Sequence, residues 1–283
     1  MNHEDVQKVS NAANAKITLL QNNFLKYFMR AVMAGFFIVV AMIFSNVVGN
    51  VFAGAEEPAW GKFLGAIVFS IAVLLISMVG GELFTGNNLV MAFGAYDKKV
   101  SWGDAGKVWV VSYIGNFVGC LILSLIFVWA GASGTGDYFA GFIGNKLAIP
   151  AGQMFFRAVL CNFFVCLGVL CGIKLKSETA KFLMIVMCIA GFVVSGFEHC
   201  VANMFYIPVG MMAAQNPAYV AKAQEAYGLT AEQIQGLTVL HSLNNFIPVT
   251  IGNILGGMVF VGIPCFFIYK KKWQKWHEES KTA

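Results

Sequence analysis

The stretch GFEHCVANMFYIP, residues 196–208, sets Glu198 and His199 side by side inside an apolar run. FLMIVMCIAGFVVSG leads into it and MFYIPVGMM carries it on. As one helix the whole run, residues 182–214, would be about 50 Å long at about 1.5 Å per residue. The hydrocarbon core of a bilayer is about 30 Å thick. The run is too long for one span and too short for two spans with a turn. It reads as a span, an interruption and a half-helix, with the charged pair at the interruption.

A second run, 61–95, has the same problem at about 52 Å, and its polar insert is GGELFTGNN, residues 80–88. Four further apolar runs, 28–54, 108–131, 153–173 and 246–269, have ordinary spanning length. Of the 283 residues, 58% are hydrophobic and 12% charged, where a soluble domain carries about a quarter charged. The class is a polytopic all-α membrane protein with a lipid bilayer around it. The net charge of +5 lies in short basic clusters between apolar segments, a topology signal that implies no nucleic-acid partner.

Six spans with the N-terminus inside put 15 of the 19 Lys and Arg residues on the cytoplasmic side. Lys62, Lys146, Arg157 and Lys222 remain outside. This bias places both termini in the cytoplasm. The longest connection, about 213–244, is then external and polar. No cleavable signal is expected. Residues 1–27 carry Val6, Val9, Ala13, Ile17, Leu20 and Phe24 near helical spacing, which predicts a cytoplasmic amphipathic helix lying on the membrane surface. A plain solvated tail is the alternative. The channel domain is expected over 28–270, with a cytoplasmic tail at 271–283.

The chain repeats itself. FMRAVMAGFFI (28–38) matches FFRAVLCNFFV (155–165), GGELFTGN (80–87) matches GFEHCVAN (196–203), and IGNFVG (114–119) matches IGNILG (251–256). The order is kept, so repeat one (28–131) recurs as repeat two (153–270). Three spans per repeat force the halves into opposite orientations, an inverted-topology plan in which two broken helices meet near the bilayer midplane. Free N–H groups and positive dipole ends at the half-helix N-termini favour an anion there.

An ionisable group at membrane depth costs at least about 2.5–3.5 kcal/mol when charged, so each one is a functional candidate. His199 exchanges a proton near neutral pH; it is read as a pore-lining donor, against the plain alternative of a satisfied core histidine. Glu82 and Glu198, at equivalent positions, are expected to accept hydrogen bonds from backbone N–H groups freed at the breaks. Asn87 and Asn203 are expected to cap the half-helices. Thr85 stands three residues after Glu82 and would reach His199 or a passing ion. Lys146 would add positive potential to an outer vestibule, against a solvated loop lysine. Arg30 and Arg157 are expected to snorkel or to pair at subunit contacts, away from the path. The seven cysteines all lie in apolar segments without a CxxC pair, and the four histidines are scattered. No metal site, disulfide framework or cofactor is therefore expected.

GGELFTGN, AVLCNFFVCLG and SGFEHCVANMFYIP closely resemble the signature stretches of the formate/nitrite transporter family over about residues 28–270. The whole chain looks most like the clostridial hydrosulfide channel branch. The resemblance implies a homopentamer in a bacterial inner membrane, with an aquaporin-like protomer of six helices whose helices 2 and 5 are broken. It makes Thr85 and His199 the central pair. It implies an inner constriction of Phe69, Val73 and Phe192 and an outer one of Leu83, Phe84 and Val165. It assigns Lys146 and Asn162 to anion attraction at the vestibule. The implied substrates are small anions of weak acids: hydrosulfide first, with formate and nitrite beside it. Val73 stands where a formate channel carries leucine, and Gly86 and Asn87 replace small hydroxyl residues; these departures bear on substrate preference. A neutral-solute channel would show two Asn-Pro-Ala boxes, and a metalloenzyme an HExxH-like constellation. The chain has a single Asn-Pro-Ala triplet, at 216–218 in the long polar connection, and no HExxH, so neither a paired-box pore nor an enzyme is expected.

Overall fold

A computed structural model describes residues 3–51, 59–131 and 136–270. The tail expected at 271–283 lies outside the described residues. Among them every regular element is helical: α1 (His3–Asn22), α2 (Phe24–Val51), α3 (Ala59–Gly80), α4 (Phe84–Tyr96), α5 (Trp102–Trp129), α6 (Gly136–Leu147), α7 (Ala151–Lys174), α8 (Glu178–Val194), α9 (Cys200–Ala213), α10 (Pro217–Tyr227), α11 (Ala231–Gln235) and α12 (Val239–Tyr269). Five of these, α2, α3, α5, α7 and α12, are long and apolar enough to cross a membrane. Helix α8 has 17 residues, about 26 Å, and the apolar α9 that follows it has 14.

The long helices approach until backbones touch. A Cβ on Gly119 of α5 would lie 2.2 Å from the Val32 carbonyl oxygen of α2, and one on Gly256 of α12 would lie 2.4 Å from the Val159 carbonyl oxygen of α7. Lipid tails are as apolar as the helices, so close packing through small residues drives their association. The half-helix α4 is enclosed by this frame and buried from Phe84 to Ala95. Val40, Phe44 and Val47 of α2, and Ile114, Ile122 and Ile126 of α5, point outward and are exposed.

The N-terminal stripe goes elsewhere than the sequence suggested. Val6, Val9, Ala13, Ile17 and Leu20 are buried against Leu89, Phe93, Val261 and Phe266. A Cβ on Gly94 would lie 2.5 Å from Ala13 Cβ. The apolar face is thus covered by the protein and is not free to lie in lipid. Phe24 begins α2 and is exposed. The 213–244 connection is also more ordered than a polar loop. Asn216 Oδ1 accepts from Ala218 N to cap α10, Gly228 ends α10 at φ +65°, and Thr230 caps α11.

Candidate functional site at the two helix breaks

Both breaks begin at a glycine in the left-handed region, where a side chain is strained: Gly80 at φ +100° and Gly196 at φ +69°. The chain then runs extended through Leu83 and through His199 before the next helix starts. Extended backbone at membrane depth must find partners within the protein. At the first break Glu82 N donates to the Arg30 carbonyl at 3.0 Å and Phe84 N to Asn116 Oδ1 at 2.9 Å. Asn116 Nδ2 donates to the carbonyls of Ala31 (2.8 Å) and Glu82 (2.9 Å). At the second, Glu198 N donates to the Arg157 carbonyl at 3.4 Å and Cys200 N to Asn253 Oδ1 at 2.9 Å. Asn253 Nδ2 donates to the carbonyls of Ala158 (2.8 Å) and Glu198 (2.9 Å). Both asparagines are fully buried. They sit in the repeated IGN triplets, the signal that would have found them.

The backbone partners are therefore asparagines, and the expected role of Glu82 and Glu198 is corrected. Glu82 Oε2 takes Lys16 Nζ at 2.6 Å, Tyr27 OH at 3.2 Å and Asn87 Nδ2 at 3.4 Å, while Oε1 lies 3.5 Å from Arg30 Nη2. Glu198 Oε1 takes Lys146 Nζ at 2.5 Å, and Oε2 takes Asn203 Nδ2 at 2.9 Å and Asn245 Nδ2 at 3.4 Å. Each carboxylate is held by cations and amides, which offset its desolvation where a lone charge would not survive. Asn87 and Asn203 do not cap their helices, because these carboxylates draw their amide groups away. The N-cap positions belong to Leu83, which offers no side-chain bond, and to His199.

His199 Nδ1 accepts from Ala202 N at 3.0 Å. A backbone N–H only donates, so Nδ1 carries no proton and the neutral ring carries its hydrogen on Nε2. Nε2 lies 3.0 Å from Thr85 Oγ1. The ring therefore donates to the threonine oxygen, and the Thr85 hydroxyl hydrogen remains available for another acceptor. Thr85 is fully buried and His199 is 3% exposed. The imidazole stacks on Phe192 at 5.8 Å between centroids, and Phe192 meets Phe69 edge-on at 6.1 Å.

A cavity of about 660 Å³ opens beside His199 and is lined by Phe69, Phe192, Lys146, Arg157, Glu198 and Tyr227 among others. Phe69 and Phe192 thus share a compartment with Lys146, on the side that the Lys/Arg count makes external. Leu83 and Phe84 follow Glu82, whose partner Lys16 comes from α1. With the termini placed as the Lys/Arg count places them, Phe69 and Phe192 fall on the outer side and not at the inner constriction that the resemblance implied. For Phe69 the reason is chain direction, since it precedes the first break on the half from which α3 enters; Phe192 meets it there edge-on from α8. Val73, Leu83, Phe84 and Val165 are all buried.

Lys146 is a residue of α6, 10% exposed at its side chain and paired with Glu198, with Phe142 5.5 Å below its ammonium. Asn162 does not line the cavity. It is fully buried, and its Nδ2 faces the carbonyls of Asn253 (2.6 Å) and Thr85 (3.1 Å) and Asn88 Oδ1 (3.1 Å). It ties the halves together, because its short amide lies where α4, α7 and α12 converge. Arg157 does line the cavity, contrary to expectation, and Arg30 leans on Glu82.

A profile described as Formate/nitrite transporter matches residues 3–267. The chain belongs to that family. It is 34% identical to the formate channel FocA of Escherichia coli strain K12 over 261 residues, 88% of each chain. It is 30% identical to the nitrite transporter NirC of Salmonella typhimurium strain LT2, over 92% of this chain and 90% of the relative. A solved structure described as a pentameric formate channel with formate bound superposes with a TM-score of 0.72 at 33% identity, covering 87% of this chain and 97% of that one. These relatives are named as channels and transporters, which suggests that this family member is not an enzyme.

Proposed function

We propose that the protein is a transmembrane channel for small monovalent anions of weak acids, with hydrosulfide as its best substrate and formate and nitrite beside it. The protomer is read as six spans in two inverted repeats, aquaporin-like, assembled as a homopentamer in a bacterial cell membrane with both termini in the cytoplasm. The relatives' names support formate and nitrite as a class. Val73 and the Gly86–Asn87 pair support the smaller ion.

The observation that carries the reading is the Thr85–His199 contact, with His199 in the wall of the cavity. An anion stripped of water in an apolar slot needs a donor, because a bare charge there is prohibitively costly. Thr85 supplies its hydroxyl hydrogen, and the Nε2–H of His199 polarises that hydroxyl from behind. The aromatic pair Phe69 and Phe192, with Val73, and the apolar group Leu83, Phe84 and Val165 act as the two constrictions that exclude hydrated ions. Lys146, paired with Glu198, lines the same cavity and lends it the field of a dipole.

The neutral tautomer favours hydrogen-bond donation over proton transfer. A neutral ring that gave up Nε2–H would become an imidazolate, and a protonated ring would lose the Ala202 N–H. The second reading is a formate or nitrite channel with optional proton coupling, and its coupled mode requires that loss. The test is flux in liposomes for hydrosulfide, formate, nitrite and chloride at several pH values, for the wild type and His199→Ala. We expect His199→Ala to lower weak-acid anion flux about tenfold, the equivalent of about 1.4 kcal/mol. Unchanged flux would sink the central role, and an inward proton accompanying each anion would favour the second reading.

A further inference from the structure

We propose that Arg157 is the capture point for the anion in the cavity beside His199, and that its guanidinium holds the two-oxygen anions at entry more tightly than hydrosulfide, whose preference is set further in, at Val73 and the Gly86–Asn87 pair. The proposal rests on the channel reading above and supplies it with an entry site.

The charged groups lining the cavity are Lys62, Lys146, Arg157 and Glu198. Lys146 lies 2.5 Å from Glu198 Oε1, so together they present a dipole and not a free cation. Lys62 is exposed, where water and salt screen it. Arg157 is half-buried, lines the cavity and makes no ion pair among the described residues.

Its repeat mate explains why. Arg30 reaches Glu82 Oε1, the oxygen left open when Lys16, Tyr27 and Asn87 gather on Oε2. At the second break both oxygens are occupied: Lys146 holds Oε1, and Asn203 and Asn245 hold Oε2. Glu198 takes its cation from Lys146, and no ion pair joins it to Arg157 among the described residues. The packing agrees. A Cβ on Gly80 would meet Arg30 Nη2 at 3.7 Å, whereas a Cβ on the equivalent Gly196 would meet nothing within 4 Å. Arg30 folds over its break; Arg157 does not fold over its own and remains in the cavity wall. A guanidinium with unfilled donors matches a planar two-oxygen anion through two parallel hydrogen bonds, while a single-atom anion such as hydrosulfide takes one.

The test is initial flux of formate and hydrosulfide into proteoliposomes against anion concentration and ionic strength, for wild type, Arg157→Gln and Arg157→Lys. Arg157→Gln should raise the half-saturation concentration for formate about fivefold and flatten its ionic-strength dependence. Arg157→Lys should keep the ionic-strength dependence but lower the formate-to-hydrosulfide ratio. Wild-type half-saturation and salt dependence in a correctly assembled Arg157→Gln protein would overturn the proposal. If that variant does not assemble, Arg157→Lys decides alone: an unchanged formate-to-hydrosulfide ratio overturns it. Absence of any anion flux in the wild type overturns the channel reading and this proposal together, whereas normal wild-type flux with an indifferent Arg157 overturns the proposal only.

Discussion

The breaks at 81–83 and 195–199 share a scaffold and differ in content. Each has a left-handed glycine, a buried asparagine joining one amide to two carbonyls, and a glutamate held by a lysine from a helix outside the span. The contents diverge. Leu83 stands opposite His199, Thr85 opposite Val201, Tyr27 opposite Met154 and Gly81 opposite Phe197. The difference teaches that backbone satisfaction cannot be relaxed in either half, whereas the reactive side chains need be present only once. One half supplies the threonine and the other the histidine, and they meet at 3.0 Å.

The comparison is open to breakage at its strongest points first. Lys146→Met strips a carboxylate that is 3% exposed of its cation. We expect a loss of about 3–5 kcal/mol, read as a lowered melting temperature in detergent, with partial recovery in Lys146→Met/Glu198→Gln. A double variant no better than the single would deny that the pair matters as a pair. Next, Asn253→Ala and Asn116→Ala each leave one N–H and one break carbonyl, that of Glu198 or of Glu82, without a partner, a cost of about 3 kcal/mol. Equal losses would sharpen the equivalence of the two staples; tolerance of either would break it.

Thr85→Val keeps the shape and removes the hydroxyl. Anion flux should fall about tenfold, the equivalent of about 1.4 kcal/mol, with Thr85→Ser retaining most of it. Val201→Thr, its counterpart at the other break, should restore nothing in the Thr85→Val background. A rescue there would mean that the breaks are interchangeable. The smallest effect is expected at Lys181→Ala. Its pair with Glu178 at 2.7 Å is solvent-facing, with Glu178 75% exposed, and the stability change should stay within about 0.5 kcal/mol.

Much of the frame was legible because the bilayer imposes lengths. The excess over about 30 Å located both interruptions, and the match of GGELFTGN with GFEHCVAN paired them. The roles inside the breaks were harder to read. Glu82 and Asn87 are five residues apart, and sequence spacing suggested an anchor and a cap. The structure makes them one bonded pair whose other members, Lys16 and Tyr27, stand 66 and 55 residues from Glu82. Asn116 and Asn253 carried no charge to mark them. Arg157 resembled Arg30 so closely that the repeat itself concealed their different surroundings.

The sequence alone determined that this is a helical membrane protein of doubled plan, with polar interruptions at matched places and the Thr85 and His199 side chains near them. Those conclusions follow from length, hydropathy and self-similarity, which are properties of the chain in order. Only the tertiary structure decided which partner each polar group takes. Asn116 and Asn253 hold the backbone, Lys16 and Lys146 hold the carboxylates, α1 docks on the protein, and Arg157 is left facing the cavity. Buried hydrogen bonds and ion pairs are settled by distances of about 3 Å between segments far apart in sequence, and no periodicity records them.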